Sequence, residues 1–109
     1  MATNTFTSYV AKNVGTTPAA LVTVAAATQT TCIGLTIANT TSSAITADIY
    51  VTRSAVNYYV VKSALIQPGT SFVAIGGDQK LVLTASDVLY VVSNTATSAD
   101  VILSVLNIS

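Results

Sequence analysis

CIGLTIAN (residues 32–39) and ITADIYVTR (Ile45–Arg53) are the two stretches that decide the fold. In the second, Ile, Ala, Ile and Val alternate with Thr, Asp, Tyr and Thr, which is the period of a strand with one buried face. In the first, Ile33, Leu35 and Ile37 share one face in the same way. The intervening NTTSS is rich in side chains that hydrogen-bond their own backbone at turns. We therefore predict two strands that pair as a hairpin.

The same features continue outward along the chain in both directions. Val, Ile and Thr are abundant, turn signals recur every 8 to 12 residues, and no window shows a convincing helical period. We predict eight or nine short strands in one antiparallel β-sandwich of the jelly-roll or Greek-key kind, formed by residues 1–109. Residues 1–18 are either an N-terminal arm or an edge strand. The predicted strands are 5–12, 20–24, 32–39, 45–53, 58–63, 71–75, 80–84, 88–93 and 100–108.

Charge is scarce in this chain. Charged residues make up 7% of it, four basic and four acidic, and the net charge is zero; an average domain has about 25%. Few charges and no net charge favour association over life as a dispersed monomer. We therefore expect a subunit packed against neighbours, the alternative being an extracellular domain solvated by Thr and Ser hydroxyls.

Several partner classes are disfavoured by the same composition. Nucleic-acid binding needs clustered Lys and Arg, which the chain lacks. No polybasic or amphipathic segment suggests a membrane partner. The N-terminal MATNT has neither the basic region nor the apolar run of a signal peptide. A single cysteine is compatible with synthesis in a reducing cytoplasm.

The side chains that usually carry catalysis are largely missing. Without His or Glu, the common general bases and the Ser-His-Asp and Cys-His arrangements are excluded. We expect Cys32 to be a small buried hydrophobe. Asp78 and Asp87 could meet at a sheet edge, but two carboxylates make a weak case for calcium. We predict no enzymatic activity, no cofactor and no metal.

Aromatic side chains are the candidate contacts with other proteins. In the pair Tyr58-Tyr59, neighbouring strand residues face opposite ways, so one ring should join the core and the other should point outward. The strands at 88–92 and 101–106 are apolar on both faces, which implies that a loop, an arm or a neighbouring subunit covers the second face. The candidate interface residues are Phe6, Tyr9, Tyr58, Tyr59 and Tyr90.

Four blocks of the sequence resemble small virion proteins of tailed bacteriophages: KNVGTTP (12–18), IGLTIANTT (33–41), IGGDQKLVL (75–83) and SADVILSVL (98–106). The resemblance spans nearly the whole chain and implies a structural role in the virion. The chain departs from it at ASD (85–87), where such proteins more often carry Gly before the Asp. The partners implied are the major capsid protein, other virion proteins and further copies of this chain.

A small, neutral, Thr-rich sandwich suits a capsid decoration or cement protein that bridges major capsid subunits through many weak contacts. In this hypothesis the apolar second faces and the N-terminal segment bury against the shell, and the hydroxyl-rich loops face water. The first alternative is a neck, tail or fibre component, which copy number distinguishes. The second is a carbohydrate-binding module, which predicts an exposed aromatic platform.

Overall fold

The chain is built from strands, as its alternating sequence predicts. A computed structural model describes residues 3–76 and 80–108, and within these ranges every predicted strand is found. The described part of the chain contains no helix with the length and apolar character needed to span a bilayer. The strands are β1 (Asn4–Val14), β2 (Ala19–Thr23), β3 (Gln29–Asn39), β4 (Ile45–Arg53), β5 (Val56–Ile66), β6 (Ser71–Ile75), β7 (Leu81–Leu83), β8 (Val88–Ser93) and β9 (Ala99–Ile108).

The strands form two antiparallel sheets that pack as a jelly roll. One sheet has the order β1-β9-β3-β6, with β7 also paired to β3, and the other has the order β2-β8-β4-β5. Most successive strands lie in different sheets, β4–β5 and β6–β7 being the exceptions, so each inner strand has at least one partner distant in sequence. The predicted sandwich class is therefore confirmed. Strands β1 and β5, each of 11 residues, lie at edges of the two sheets.

The predicted hairpin between β3 and β4 is wrong. These strands lie in different sheets, and β4 pairs instead with β8 and β5. The chain crosses between sheets at Asn39, whose side-chain amide donates to the carbonyls of Ser43 (2.8 Å) and Ile66 (3.0 Å) and accepts from Thr41. The side chains of this segment do hydrogen-bond the backbone as predicted, but they stabilise a corner between the two sheets instead of a hairpin turn. The apolar faces of β3 and β4 meet across the core.

A β-bulge alters the predicted facing of β3. The register with β9 shifts between Cys32 and Gly34, which leaves Ile33 as the extra residue. Ile33 is half-buried, and Cys32 takes the inward place beside Leu35 and Ile37, all three with 0% exposure. The expectation that Ile33 shares the face of Leu35 and Ile37 is thus incorrect, whereas the expectation of a buried Cys32 is confirmed.

The core fills the space between the sheets with aliphatic side chains. Inward positions alternate along β4, β8 and β9, as the sequence period predicts. Each fully buried Leu, Ile or Val contributes about 1.5–3 kcal/mol of transfer free energy. The largest buried side chains are Leu35, Ile37, Ile45, Ile49, Ile66, Ile75, Leu83, Leu89, Leu103, Val91, Val101 and Val105.

Candidate assembly interfaces

Large apolar side chains are exposed in two rows on the outer face of the five-stranded sheet. Directly paired residues point to the same side of a sheet. The register therefore defines the rows, which run across the strands. One row is Phe6, Leu106, Thr31 and Val82, and the other is Val10, Ile102, Thr36 and Val73. We call this surface the ridged face, and its exposed apolar members are Phe6 (76% exposed), Val10 (74%), Val73 (62%), Val82 (52%) and Ile102 (55%).

A row of small residues separates the two apolar rows. Ser8 pairs with Ser104, and Ser104 pairs with Gly34. All three lie between the two apolar rows along their strands, and both serines are exposed. Along β1 and β9 the large side chains recur four residues apart, so the rows stand about 13 Å from each other at 3.3 Å per residue. The ridged face consequently has a ridge, a groove and a second ridge.

The doubly apolar character of β9 was an informative signal in the sequence. Val101, Leu103 and Val105 fill the core, while Ile102 on the other face is 55% exposed. The strand therefore presents a second apolar face to the outside of the domain. Monomeric soluble proteins rarely expose contiguous apolar patches of this kind, which usually mark interaction sites.

A second group of exposed apolar side chains lies on β5, at the edge of the four-stranded sheet, with Val56 and Tyr58 on one side of the strand and Tyr59 and Leu65 on the other. We call it the tyrosine edge, and its members are Val56 (49% exposed), Tyr58 (57%), Tyr59 (48%) and Leu65 (61%). The expectation that one of the two adjacent tyrosines joins the core is wrong. Tyr58 pairs with the inward-facing Val51 but lies over an open cleft of about 410 Å³ lined also by Arg53 and by Leu81–Leu83. An edge position, with little of the other sheet above it, explains this exposure.

Three tyrosines pack together on the outer face of the four-stranded sheet. The ring of Tyr50 lies 5.1 Å from that of Tyr59 and 5.3 Å from that of Tyr90, measured between centroids. The ammonium of Lys62 lies 4.6 Å above the Tyr59 ring. Burial, followed by the neighbouring Tyr59 and Tyr90, raises the pKa of the Tyr50 hydroxyl. Tyr90 stacks on Tyr50, Tyr59 is tilted against it and Lys62 lies over Tyr59, so the faces of these rings are partly occupied by contacts within the chain.

Tyr50 is the residue of this cluster that sequence reasoning missed. It lies on the polar side of the alternation in β4, between Asp48 and Thr52. An aromatic residue on a face that is otherwise polar was the available signal. Tyr90, which was predicted as a contact residue, is half-buried against it.

Phe6 and Tyr9 lie on opposite sides of β1. Phe6 belongs to the ridged face, whereas Tyr9 is half-buried against the core. The Tyr9 hydroxyl accepts a 3.5 Å hydrogen bond from the side-chain amide of Asn107. Tyr9 also lines a cleft of about 340 Å³ with Thr5 and Val24. The structure therefore gives the two predicted contact residues of this strand different environments.

Asp87, one of the two aspartates considered as calcium ligands, has a structural role. Asp87 is 1% exposed and accepts hydrogen bonds from Arg53 Nε (2.9 Å), Arg53 Nη2 (2.6 Å) and the Thr84 N–H (2.8 Å). These bonds, those from Arg53 above all, lower the pKa of Asp87 although burial acts in the opposite direction. Its oxygens are engaged, which leaves little capacity for a cation. Asp78 lies outside the described residues.

Two further ion pairs lie at the surface. Lys12 meets Asp100 at 3.5 Å, and Lys62 meets Asp48 at 3.4 Å. Among the residues that the structure describes, no group of three acidic or sulfur ligands could hold a metal ion. Burial raises the pKa of the Cys32 thiol to about 11, which keeps it protonated and unreactive at neutral pH.

Comparison with known proteins supports the fold. No protein-family model and no curated protein sequence matches the chain. A chain of the Bacillus endospore appendages, described as a novel family of disulfide-linked pili, is similar in structure, with a TM-score of 0.56, 10% identity, and coverage of 97% of this chain and 86% of that one. A chain of infectious bursal disease virus, Gt strain, has a TM-score of 0.47 and 11% identity, and covers 99% of this chain but 32% of its own length. The TM-score of the first comparison shows that the two chains share a fold. The TM-score of the second is too low to show this.

Proposed function

We propose that this protein is a non-enzymatic structural subunit that bridges neighbours in a multi-copy assembly. The observation that carries the proposal is the presence of two separate apolar surfaces, the ridged face on one sheet and the tyrosine edge on the other. One exposed surface would suffice for a pair of molecules. Two surfaces on different sheets let one molecule contact two neighbours, which is what a bridging subunit requires.

The assembly we propose is the virion of a tailed bacteriophage, with the chain as a decoration or cement protein of the capsid. The support is the resemblance of the sequence blocks to small virion proteins, together with a jelly-roll fold, which recurs in viral capsid domains. In this role the tyrosine edge docks on the major capsid protein. Tyr58 and Tyr59 are large, exposed and amphipathic, as the dominant residues of protein interfaces often are.

The contacts of this subunit are proposed to be non-covalent. Cys32, the one cysteine of the chain, is fully buried with a raised thiol pKa. A thiol in that position cannot reach a neighbouring molecule without unfolding of the sandwich. The subunit would therefore differ from the disulfide-linked pili whose fold it shares, and many weak contacts would have to replace covalent links.

A neck, tail or fibre component is the second candidate. The long edge strands β1 and β5 favour it, because edge strands are natural sites for pairing with another chain in a linear or ring-shaped assembly. The two candidates share the apolar surfaces, and the second adds the backbone edges of β1 and β5. They differ in the number of copies that each particle carries.

Copy number is the experiment that tests the proposal. Intact particles are purified, and this chain is counted against the major shell protein by quantitative mass spectrometry. A ratio of about one, or about one third for a single copy at each three-fold position of the shell, supports the capsid role. Copies amounting to a small percentage of the shell protein support the neck, tail or fibre role. Absence of the chain from particles contradicts the virion assignment altogether.

A further inference from the structure

We propose that the ridged face is a self-association face, on which a second copy of this chain packs about a two-fold axis. The proposal deepens the function proposed above by naming the partner of one of the two apolar surfaces. It depends on the shape of that face, on its size and on the position of its charges.

The ridged face is complementary to itself. Its two apolar rows are about 13 Å apart, and the row Ser8, Ser104 and Gly34 lies midway, about 6.6 Å from each. If two such faces meet and slide by two residues along the strands, a ridge of each copy enters the groove of the other. The two insertions are equivalent, so the arrangement obeys two-fold symmetry with the same patch on both sides.

The size of the face fits a modest dimer. The sheet is four strands wide and its edge strand β1 has 11 residues, which gives a footprint of about 19 by 36 Å, or roughly 700 Å². A stable interface buries about 800 Å² on each partner. The whole face is slightly smaller than that, and the two-residue offset reduces the overlap to about 560 Å², which fits a weak, concentration-dependent dimer.

Within the paired strands of this face the charged residues, Lys12 and Asp100, lie at one end, while Lys80 lies just before β7, two residues from Val82. Lys12 and Asp100 lie two residues beyond Val10 and Ile102 on their strands, and they neutralise each other at 3.5 Å. The two apolar rows and the groove between them carry only uncharged side chains. A second copy can therefore cover the rows without burying an unpaired charge, and the ion pair falls in the polar rim where interfaces tolerate it.

Sedimentation analysis of the full-length protein over a range of concentrations tests the inference. We expect a monomer–dimer equilibrium that Ile102→Lys weakens by about a hundredfold or more, because the new ammonium would have to be buried against an apolar partner. Leu65→Lys is the matched control: it introduces the same charge at a leucine 61% exposed on the tyrosine edge, and we expect it to leave dimerisation unchanged. A wild-type chain that stays monomeric at about 0.5 mM, or equal effects of the two variants, would overturn the inference.

Ser104→Phe tests the ridge-in-groove geometry itself. The substitution fills the groove while adding apolar surface. If a ridge inserts into the groove, the new ring blocks the insertion and dimerisation should weaken. If association were merely apolar and indiscriminate, the added ring would strengthen it. Stronger dimerisation would therefore refute the proposed packing. Ser104 is exposed, and an unchanged circular dichroism spectrum serves as the control for folding.

The inference and the proposed function can fail separately. A monomeric chain found in particles at shell stoichiometry would overturn the self-association face alone. A chain that dimerises through the ridged face but is absent from particles would overturn the virion role alone.

Discussion

The outer faces of the two sheets differ in how far their apolar side chains are buried. On the four-stranded sheet, Tyr50 is packed between Tyr59 and Tyr90 and is 9% exposed. On the five-stranded sheet, Val10 and Ile102 pair across neighbouring strands yet remain 74% and 55% exposed. Large rings can lie against one another and cover their own sheet. Aliphatic side chains arranged in rows leave more of their surface exposed, and we propose that a second copy of the chain covers them. Substitutions on each face should accordingly change different properties.

Replacing Tyr50 should have the largest effect on stability. Tyr50→Ala removes a buried ring and the support of both neighbouring tyrosines, and we expect a loss of about 3 kcal/mol in the free energy of unfolding. Chemical denaturation measures it. Tyr59→Ala is the control, since that ring is 48% exposed and should cost clearly less. Equal losses would mean that the stack does not bury the face as described.

Replacing Asp87 should have the next largest effect on stability, because Asp87 links the two sheets. It lies between β7 of one sheet and β8 of the other and binds Arg53 at the end of β4. Asp87→Asn should lower the free energy of unfolding by about 2 kcal/mol, through weaker hydrogen bonds at a buried site. Asp100→Asn, in an exposed ion pair, should change it by less than about 1 kcal/mol.

The pH dependence of stability checks the same residue. Because the folded-state pKa of Asp87 is lowered, its stabilising effect is fully present above the pKa of an unfolded aspartate, about 4. It is lost as the pH falls through the lower folded-state pKa. Thermal unfolding between neutral and acid pH should therefore show a steeper loss below pH of about 4 in the wild type than in Asp87→Asn. Parallel curves would contradict this assignment.

On the ridged face, stability and association should separate. Ile102→Ser removes an exposed side chain, and we expect the free energy of unfolding to change by less than about 1 kcal/mol. The same variant should lose self-association, as measured by sedimentation. A loss of stability comparable to that of Tyr50→Ala would show that Ile102 supports its own fold, and the contrast between the two faces would fail.

The smallest expected effect is at Ser86, in the turn between β7 and β8. Its φ of 72° lies in the left-handed region, which favours glycine. Ser86→Gly should stabilise the chain by about 0.5 kcal/mol, the relief of strain being partly offset by the greater flexibility of the unfolded chain. A lower melting temperature would contradict the prediction.

The sequence predicted the strands well because alternation is a local property. The bounds of β4, β6 and β8 are as expected. Alternation states which side of a strand is buried but not which strand is its neighbour. β3 and β4 therefore looked like a hairpin, although their buried sides face each other across the core. The bulge at Ile33 had one local signal, the adjacent Gly34 within a strand.

The exposed apolar surfaces were predictable only in part. The exposure of Phe6, Tyr58 and Tyr59 could be suspected from aromatic residues in a chain poor in charge. The ridged face depends on the register of β1 and β9 with strands distant in sequence, and no pattern within one strand contains that information. The same holds for the stack at Tyr50, whose partners come from β5 and β8.

Burial of both apolar surfaces in the assembled particle is the central claim, and thiol labelling measures it most directly. Cys32 is buried and unreactive, so one introduced cysteine reports on its own site. Ser8→Cys probes the ridged face, Leu65→Cys the tyrosine edge, and Thr17→Cys an exposed loop between β1 and β2. In dilute protein we expect all three to react. In particles, the first two should be protected and the third should react as before, whereas equal reaction of all three would contradict the account.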